Sequence, residues 1–419
     1  MKIFKRYFSA LLALILLLLP LSLFVSCDSG ESGDTVTLYV YNWGEYMSDG
    51  SEGSVDSNKE FERWYYDTYG VNVKVSYSTY SSNEDMYAKL SGGAVNYDVI
   101  VPSDYMIQRL INEDMLAPLD YSNIPLAKEN LSSTFFGKDA KYDYYDKGNV
   151  YSIPYFYGMI GIIYNTEMVD EADIGSWELM WNEKYKNNIL QFNNSRDAFG
   201  TAQYKLKIDV NTDDETEWRC ALEELKAQKG IVQGYVMDEI FNKMEGGSAA
   251  IAAYYAGDFL TMYENNDSLE FFYPEEGTNL YIDAMCIPKS SENKTIAERY
   301  INFMLSVDEE YGAPAIANAE YTYYASPNQK VVDNEGYRET MNEIKDDAFE
   351  KMYALDRVHA TYYENLTPEK LALINELWEE LKSDIDVSPT IIIICVAIVG
   401  ALVAGVVVAG IKKKYRNNY

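Results

Sequence analysis

Histidine and cysteine are scarce. Among 419 residues there is one histidine, His359, and there are four cysteines. A His-based metal centre or a His-dependent catalytic triad has almost nothing to be built from. Positive charge is also short, with 35 Lys and Arg against 66 Asp and Glu and a formal net charge of −31. That sign excludes sequence-independent binding to nucleic acid phosphates. G-x-S-x-G, H-E-x-x-H, G-x-x-x-x-G-K-[ST] and G-x-G-x-x-G are all missing, so the common hydrolase, metalloprotease and nucleotide-binding signatures are absent. Tyrosine is plentiful, with 39 residues beside 6 Trp and 15 Phe, and 47% of the chain is apolar. The apolar share excludes global disorder, and the length fits two or three lobes with appendages.

Both ends read as membrane-directed. Lys2, Lys5 and Arg6 precede the apolar stretch Leu11 to Phe24, and Ser26-Cys27 follows. Residues 1–26 are thus expected to be a secretory signal. FVSC resembles a bacterial lipobox, which makes Cys27 the expected lipidation site, with residues 27–35 as a polar tether. Ile391 to Ile411 carries no charge and is followed at once by Lys412, Lys413, Lys414 and Arg416. It is expected to be a transmembrane helix with a cytoplasmic tail at 412–419. The intervening chain is then extracellular. Neither end contains Asp or Glu, so the extracellular part is more acidic than the whole and repels anions. Cys395 falls in the expected span. Cys220 and Cys286 remain, as a pair or as two buried thiols, since spacing does not place them within bonding distance.

Between the ends, strand-like and helix-like pieces alternate. VTLYVYNW (36–43), VNVKVSYS (71–78) and YDVIVPS (97–103) read as strands, with a helix from Asn58 to Tyr69 stopped by Gly70 and another from Glu84 to Leu90. That order predicts a mostly parallel α/β sheet, whose ligands sit outside the carboxyl ends of the strands. Residues 151–165 read as two strand-like runs around Gly158. Helices are expected near Trp177 and Trp181, at 214–228, 297–306 and 367–381. AAIAAYYAGD (249–258) reads as a strand entering a turn and NLYIDAMCIP (279–288) as another strand. Glu217, Glu223 and Glu224 fit a solvated helix face.

Aromatic faces and carboxylates are the two groups that hold organic ammonium ions. A cation over a ring gains ~0.5–2 kcal/mol, and a hydrogen bond to a charged group adds ~1.5–3 kcal/mol. An acidic, tyrosine-rich extracellular protein is suited to such guests. YNWGEY (41–46), YSTYSSNEDMYAKL (77–90), YDVIVPSDY (97–105), YSIPYFYG (151–158), GIIYN (161–165), IDAMCIP (282–288) and YYASPN (323–328) resemble the bacterial spermidine/putrescine-binding proteins, the extracytoplasmic subunits of ABC importers. The resemblance runs in order over roughly residues 36 to 330, with a weaker tail to about 385.

The resemblance implies a type II periplasmic-binding-protein-like fold, two α/β lobes with a hinge, here followed by the expected transmembrane helix. Lobe one would comprise 36–158 and 283–330, and lobe two 159–282 and 331–385. It implies a polyamine ligand, permease and ATPase partners, a monomer, and no cofactor, metal or chemical step. By motif match, Trp43, Tyr46, Ser103, Tyr105 and Tyr324 become cleft residues and Asp283 the main amine contact. Asp197 stands where the family has glutamate. Tyr255, with Tyr254 as rival by one residue, and Tyr281 stand where tryptophan is frequent. Asn194 replaces an aspartate of spermidine-type members, and Asp258 matches an aspartate of putrescine-type members and is a candidate compensating charge. Asp104 is an extra carboxylate beside the cleft. The rival readings are the same fold binding another small solute, a membrane-fixed sensor, and a hydrolase with a carboxylate pair.

Overall fold

The computed structural model describes residues 35–93 and 95–383. Ten strands form its sheets: β1 Val36–Trp43, β2 Val73–Tyr80, β3 Val99–Ile100, β4 Ser152–Asn165, β5 Ile189–Phe192, β6 Val232–Val236, β7 Ile251–Tyr255, β8 Leu269–Phe272, β9 Thr278–Cys286 and β10 Ala360–Tyr362. Their order is β2-β1-β3-β9-β4-β7-β5-β6, with β10 beside β9 and β8 beside β4.

Local chemistry explains the first unit. Central strand β1 buries Leu38 and Val40 completely, while β2 alternates buried and exposed residues toward its start. Between them, helix Ser57–Tyr69 starts where the Asp56 side chain accepts from the Lys59 amide and stops at Gly70, whose φ of 67° is left-handed. A carboxylate cap and a terminal glycine are the expected punctuation. The crossover makes β1 and β2 parallel, and β3 joins on the other side of β1, again parallel. Phe61 and Tyr65 cover one face of this sheet and Ile107 and Leu110 the other, as a parallel sheet requires. In the second unit β5 lies parallel to β6 and β7.

Two long strands join the units. The first part of β4 pairs antiparallel with β9 from Ser152–Cys286 to Met159–Leu280. Its second part pairs with β7 and β8. Residues 152–165 therefore form one continuous buried strand, where two runs around Gly158 were expected. Gly158 stays in the ladder because it has no side chain: a Cβ there would lie 2.3 Å from the Tyr281 hydroxyl.

Other expectations change. Residues 249–258 are a strand that enters a helix, Ala256–Asn265, and Asp258 lies in its first turn. Asp197 likewise sits in the first turn of helix Ser195–Leu206. Cys220 is exposed and Cys286 buried, and both are free thiols. The expected C-terminal transmembrane helix is corrected: among the described residues no helix is long and apolar enough to cross a membrane. The segment 391–411 lies outside them, as do the expected signal, tether, Cys27 and tail. Over the described residues the fold class is the two-lobed α/β architecture.

Candidate functional site

Six parallel strands end on one cleft. The residues following β1 (Gly44, Glu45, Tyr46), β2 (Ser81 to Glu84) and β3 (Ser103 to Tyr105) line it from one lobe. Those following β5 (Asn194, Asp197), β6 (Met237, Asp238) and β7 (Asp258) line it from the other. Asn279, Tyr281 and Asp283 from connecting strand β9, with Tyr324 and Tyr363, complete the cleft, whose empty space, counted with the solvent at its mouth, is about 810 Å³. It lies outside the carboxyl ends of the strands, where α/β sheets place ligands.

All ten expected residues, Trp43, Tyr46, Ser103, Tyr105, Asp197, Tyr255, Asp258, Tyr281, Asp283 and Tyr324, line this one cleft. Three hydrogen-bonded groups organise them. At the first, Asp283 accepts from the Tyr46 hydroxyl at 2.6 Å and the Ser103 hydroxyl at 2.6 Å. Ser103 is the N-cap of helix Asp104–Asn112 but makes no side-chain cap bond, because its hydroxyl is spent on Asp283. Asn83 holds it there, donating to Ser103 Oγ and to the Tyr105 hydroxyl, each at 3.1 Å. At the second, Asp197 accepts from the Tyr255 hydroxyl at 2.7 Å and from Asn194 Nδ2 at 2.8 Å. Asn194 also caps the helix by accepting from the Asp197 amide, so its side chain positions Asp197 through both its oxygen and its nitrogen. At the third, the Tyr324 hydroxyl donates to Asp258 at 2.9 Å. Asp197 and Asp258 both sit in first helical turns, where the helix dipole favours a negative charge.

The electrostatics point one way. Glu45, Glu84, Asp104, Asp197, Asp238, Asp258 and Asp283 line the cleft, and no Lys, Arg or His does among the described residues. Burial pushes the Asp283 carboxyl up to about 6, with Asp197 adding to the rise against its two hydroxyl donors. Burial lifts Asp104 to about 8, with Asp283 adding to it, and Asp258 to about 8, with Asp238 and Glu45 adding. Glu84, Glu45, Asp197 and Asp238 are raised too, burial again being the largest cause. Carboxylates packed without counter-ions hold protons until a cation replaces them.

Rings wall the space between the acids. Tyr46 meets Tyr324 edge-on at 4.7 Å, and Tyr255 meets Tyr281 edge-on at 5.3 Å. Tyr254 and Tyr255 both line the cleft, but Tyr255 carries the hydroxyl on Asp197, while Tyr254 stacks on Phe192. Glu45, Glu84, Asp238, Phe241 and Tyr363 were not among the expected residues. Glu45 and Glu84 lie inside the resembling motifs and were legible there. Asp238 and Phe241 follow a strand with no such motif, and Tyr363 arrives from the weak tail.

Gly257 fixes one of these rings. A Cβ there would lie 2.4 Å from the Tyr324 ring, so Gly257→Ala is expected to push Tyr324 off Asp258. Overpacking of this kind costs about 1–3 kcal/mol. Thermal unfolding of the variant should show the loss, and an unchanged midpoint would mean that the ring moves aside freely.

Two lobes joined through paired strands, with a cleft of acids and rings between them, are the architecture of a solute-binding protein. A family model described as bacterial extracellular solute-binding protein matches residues 95–352. A spermidine/putrescine-binding periplasmic protein of Salmonella typhimurium is 33% identical over 310 residues, 73% of this chain and 82% of its own length. A putrescine-binding periplasmic protein of Pseudomonas aeruginosa is 29% identical over 293 residues, 66% of this chain and 75% of its own length. The solved structure of a putative spermidine/putrescine ABC transporter protein from Listeria monocytogenes aligns with a TM-score of 0.70 at 32% identity, covering 83% of this chain and 99% of that one. The chain belongs to the bacterial extracellular solute-binding proteins, and its resemblance to the spermidine/putrescine-binding members holds.

Proposed function

We propose that the protein binds a polyamine between its lobes and delivers it to an ABC importer. One observation carries this reading: among the described residues, seven carboxylates and no basic side chain line a ring-walled cleft. An amino acid or other acidic solute would find no cation to pair with its carboxylate there. In the proposed mode Asp283, with Asp197 or Asp258, receives the ammonium groups, and Trp43, Tyr46, Tyr105, Tyr255, Tyr281 and Tyr324 cover the methylene chain. Ser103 orients Asp283. The lobes are taken as 36–158 with 283–330 and 159–282 with 331–385. The names of the relatives support the ligand class and an ABC transporter as partner, whose permease and ATPase would receive the cargo. Residues 1–27, read as a signal and lipid site, support attachment at the extracellular face of the membrane.

Titration calorimetry of the full chain with putrescine, spermidine and spermine tests the proposal, with betaine and a neutral amino acid as controls. Micromolar or tighter binding of a polyamine is expected, which requires about −8 kcal/mol. Heat from the controls alone would refute it.

A further inference from the structure

Residues 279, 281 and 283 alternate along β9, so their side chains share one face, and all three line the cleft. They meet different fates. Asp283 holds two hydroxyl donors. Asn279 is 3% exposed, and its Oδ1 has no hydrogen-bond partner. Its cross-strand neighbour on β10 is Thr361, whose hydroxyl is engaged with the Tyr204 hydroxyl at 2.6 Å. A buried carbonyl oxygen without a donor is costly, whereas leucine, branched alike though bulkier, carries no such penalty. Asn279 lines the cleft while this oxygen stays unpaired, and a donor that arrives with the guest would satisfy it.

Resting on the polyamine reading of this site, we propose that Asn279 is a specificity-determining residue that accepts a hydrogen bond from the ligand nitrogen farthest from Asp283. Asn279 and Asp283 are four positions apart, about 13 Å of strand at ~3.3 Å per residue. A four-carbon diamine held at Asp283 falls short of that span, and a triamine bridges it. Asn279 then favours triamines over diamines without adding a charge.

Calorimetry with spermidine and putrescine on the full-length wild-type, Asn279→Leu and Asn279→Asp proteins tests this. Asn279→Leu is expected to weaken spermidine about tenfold, the loss of one hydrogen bond to a charged group, and to change putrescine less than twofold. Asn279→Asp keeps an acceptor of the same size and should hold spermidine at least as tightly as wild type. Equal losses for both amines, or an unchanged spermidine affinity in Asn279→Leu, overturn the inference. A raised melting temperature of ligand-free Asn279→Leu with unchanged spermidine binding assigns the residue no ligand contact and also overturns it. If Asn279→Leu does not fold, Asn279→Ser, which withdraws the acceptor from the cleft, carries the same comparison. If the wild type binds neither amine, the polyamine reading itself falls.

Discussion

Asp283→Asn is expected to weaken polyamine binding by tenfold to a hundredfold while leaving the fold intact. Asparagine keeps the shape and one accepting oxygen, so Ser103 or Tyr46 retains a partner. What disappears is the charge that the proposed mode pairs with an ammonium group. Hydrogen bonds to charged groups contribute about 1.5–3 kcal/mol, and a 1.4 kcal/mol change is tenfold in affinity. Asp283 is 4% exposed, and its donors come from residues 237 and 180 positions away. It is therefore neither screened by solvent nor replaceable by a neighbour on its own strand. Calorimetry on the variant decides the matter, with far-ultraviolet circular dichroism as the check on folding. An affinity within twofold of wild type would remove Asp283 from the binding mode.

Polyamine affinity is expected to rise steeply between pH 5 and pH 8, with protons released on binding. Asp283, at about 6, and Asp104 and Asp258, at about 8, hold protons in the ligand-free cleft below those values. An arriving ammonium group favours the ionised carboxylate and displaces them. Alkylammonium groups stay charged over this range, so the pH dependence belongs to the acids. Each proton released changes affinity about tenfold per pH unit. The stability of the ligand-free protein should run the opposite way. An aspartate unfolds to a value near 3.9, well below the folded value of Asp104 or Asp258. The stability contributed by their protonated forms is complete below about pH 4 and is lost as pH rises through about 8. Thermal unfolding without ligand should fall on this side of neutrality as pH rises, and the stabilisation by spermidine should grow. Calorimetry in two buffers of different ionisation enthalpy at pH 6 measures the released protons. Heats that do not depend on the buffer would show that the cleft acids are already ionised.

Arg196 qualifies the electrostatic picture without reversing it. Its guanidinium is buried behind the cleft, over the Tyr363 ring at 4.3 Å, and donates to the Val210 carbonyl and to Asn211. It does not line the cleft. Its positive charge lowers Asp197 against the larger effect of burial. The same charge lowers Glu84, again against the larger effect of burial.

The amino-acid sequence alone determined the sign of the net charge, the alternation of strands and helices, and the motifs that place Trp43, Tyr46, Ser103 and Tyr105 at strand ends. These are local properties: net charge is a count, a strand end is marked by its flanking residues, and Gly70 stops a helix through its own backbone. The helical setting of Asp197 and Asp258 was not legible, because a carboxylate in a first turn and one in a loop differ only in the path of the downstream chain. The tertiary structure alone decided that Tyr46 meets Asp283, that Tyr363 enters from the tail, and that Asn279 is left without a donor. Each depends on segments far apart in the chain meeting at a pair of crossing strands. Only the closed packing of two sheets on β4 and β9 sets those distances, since no local pattern records which distant surface a side chain will face.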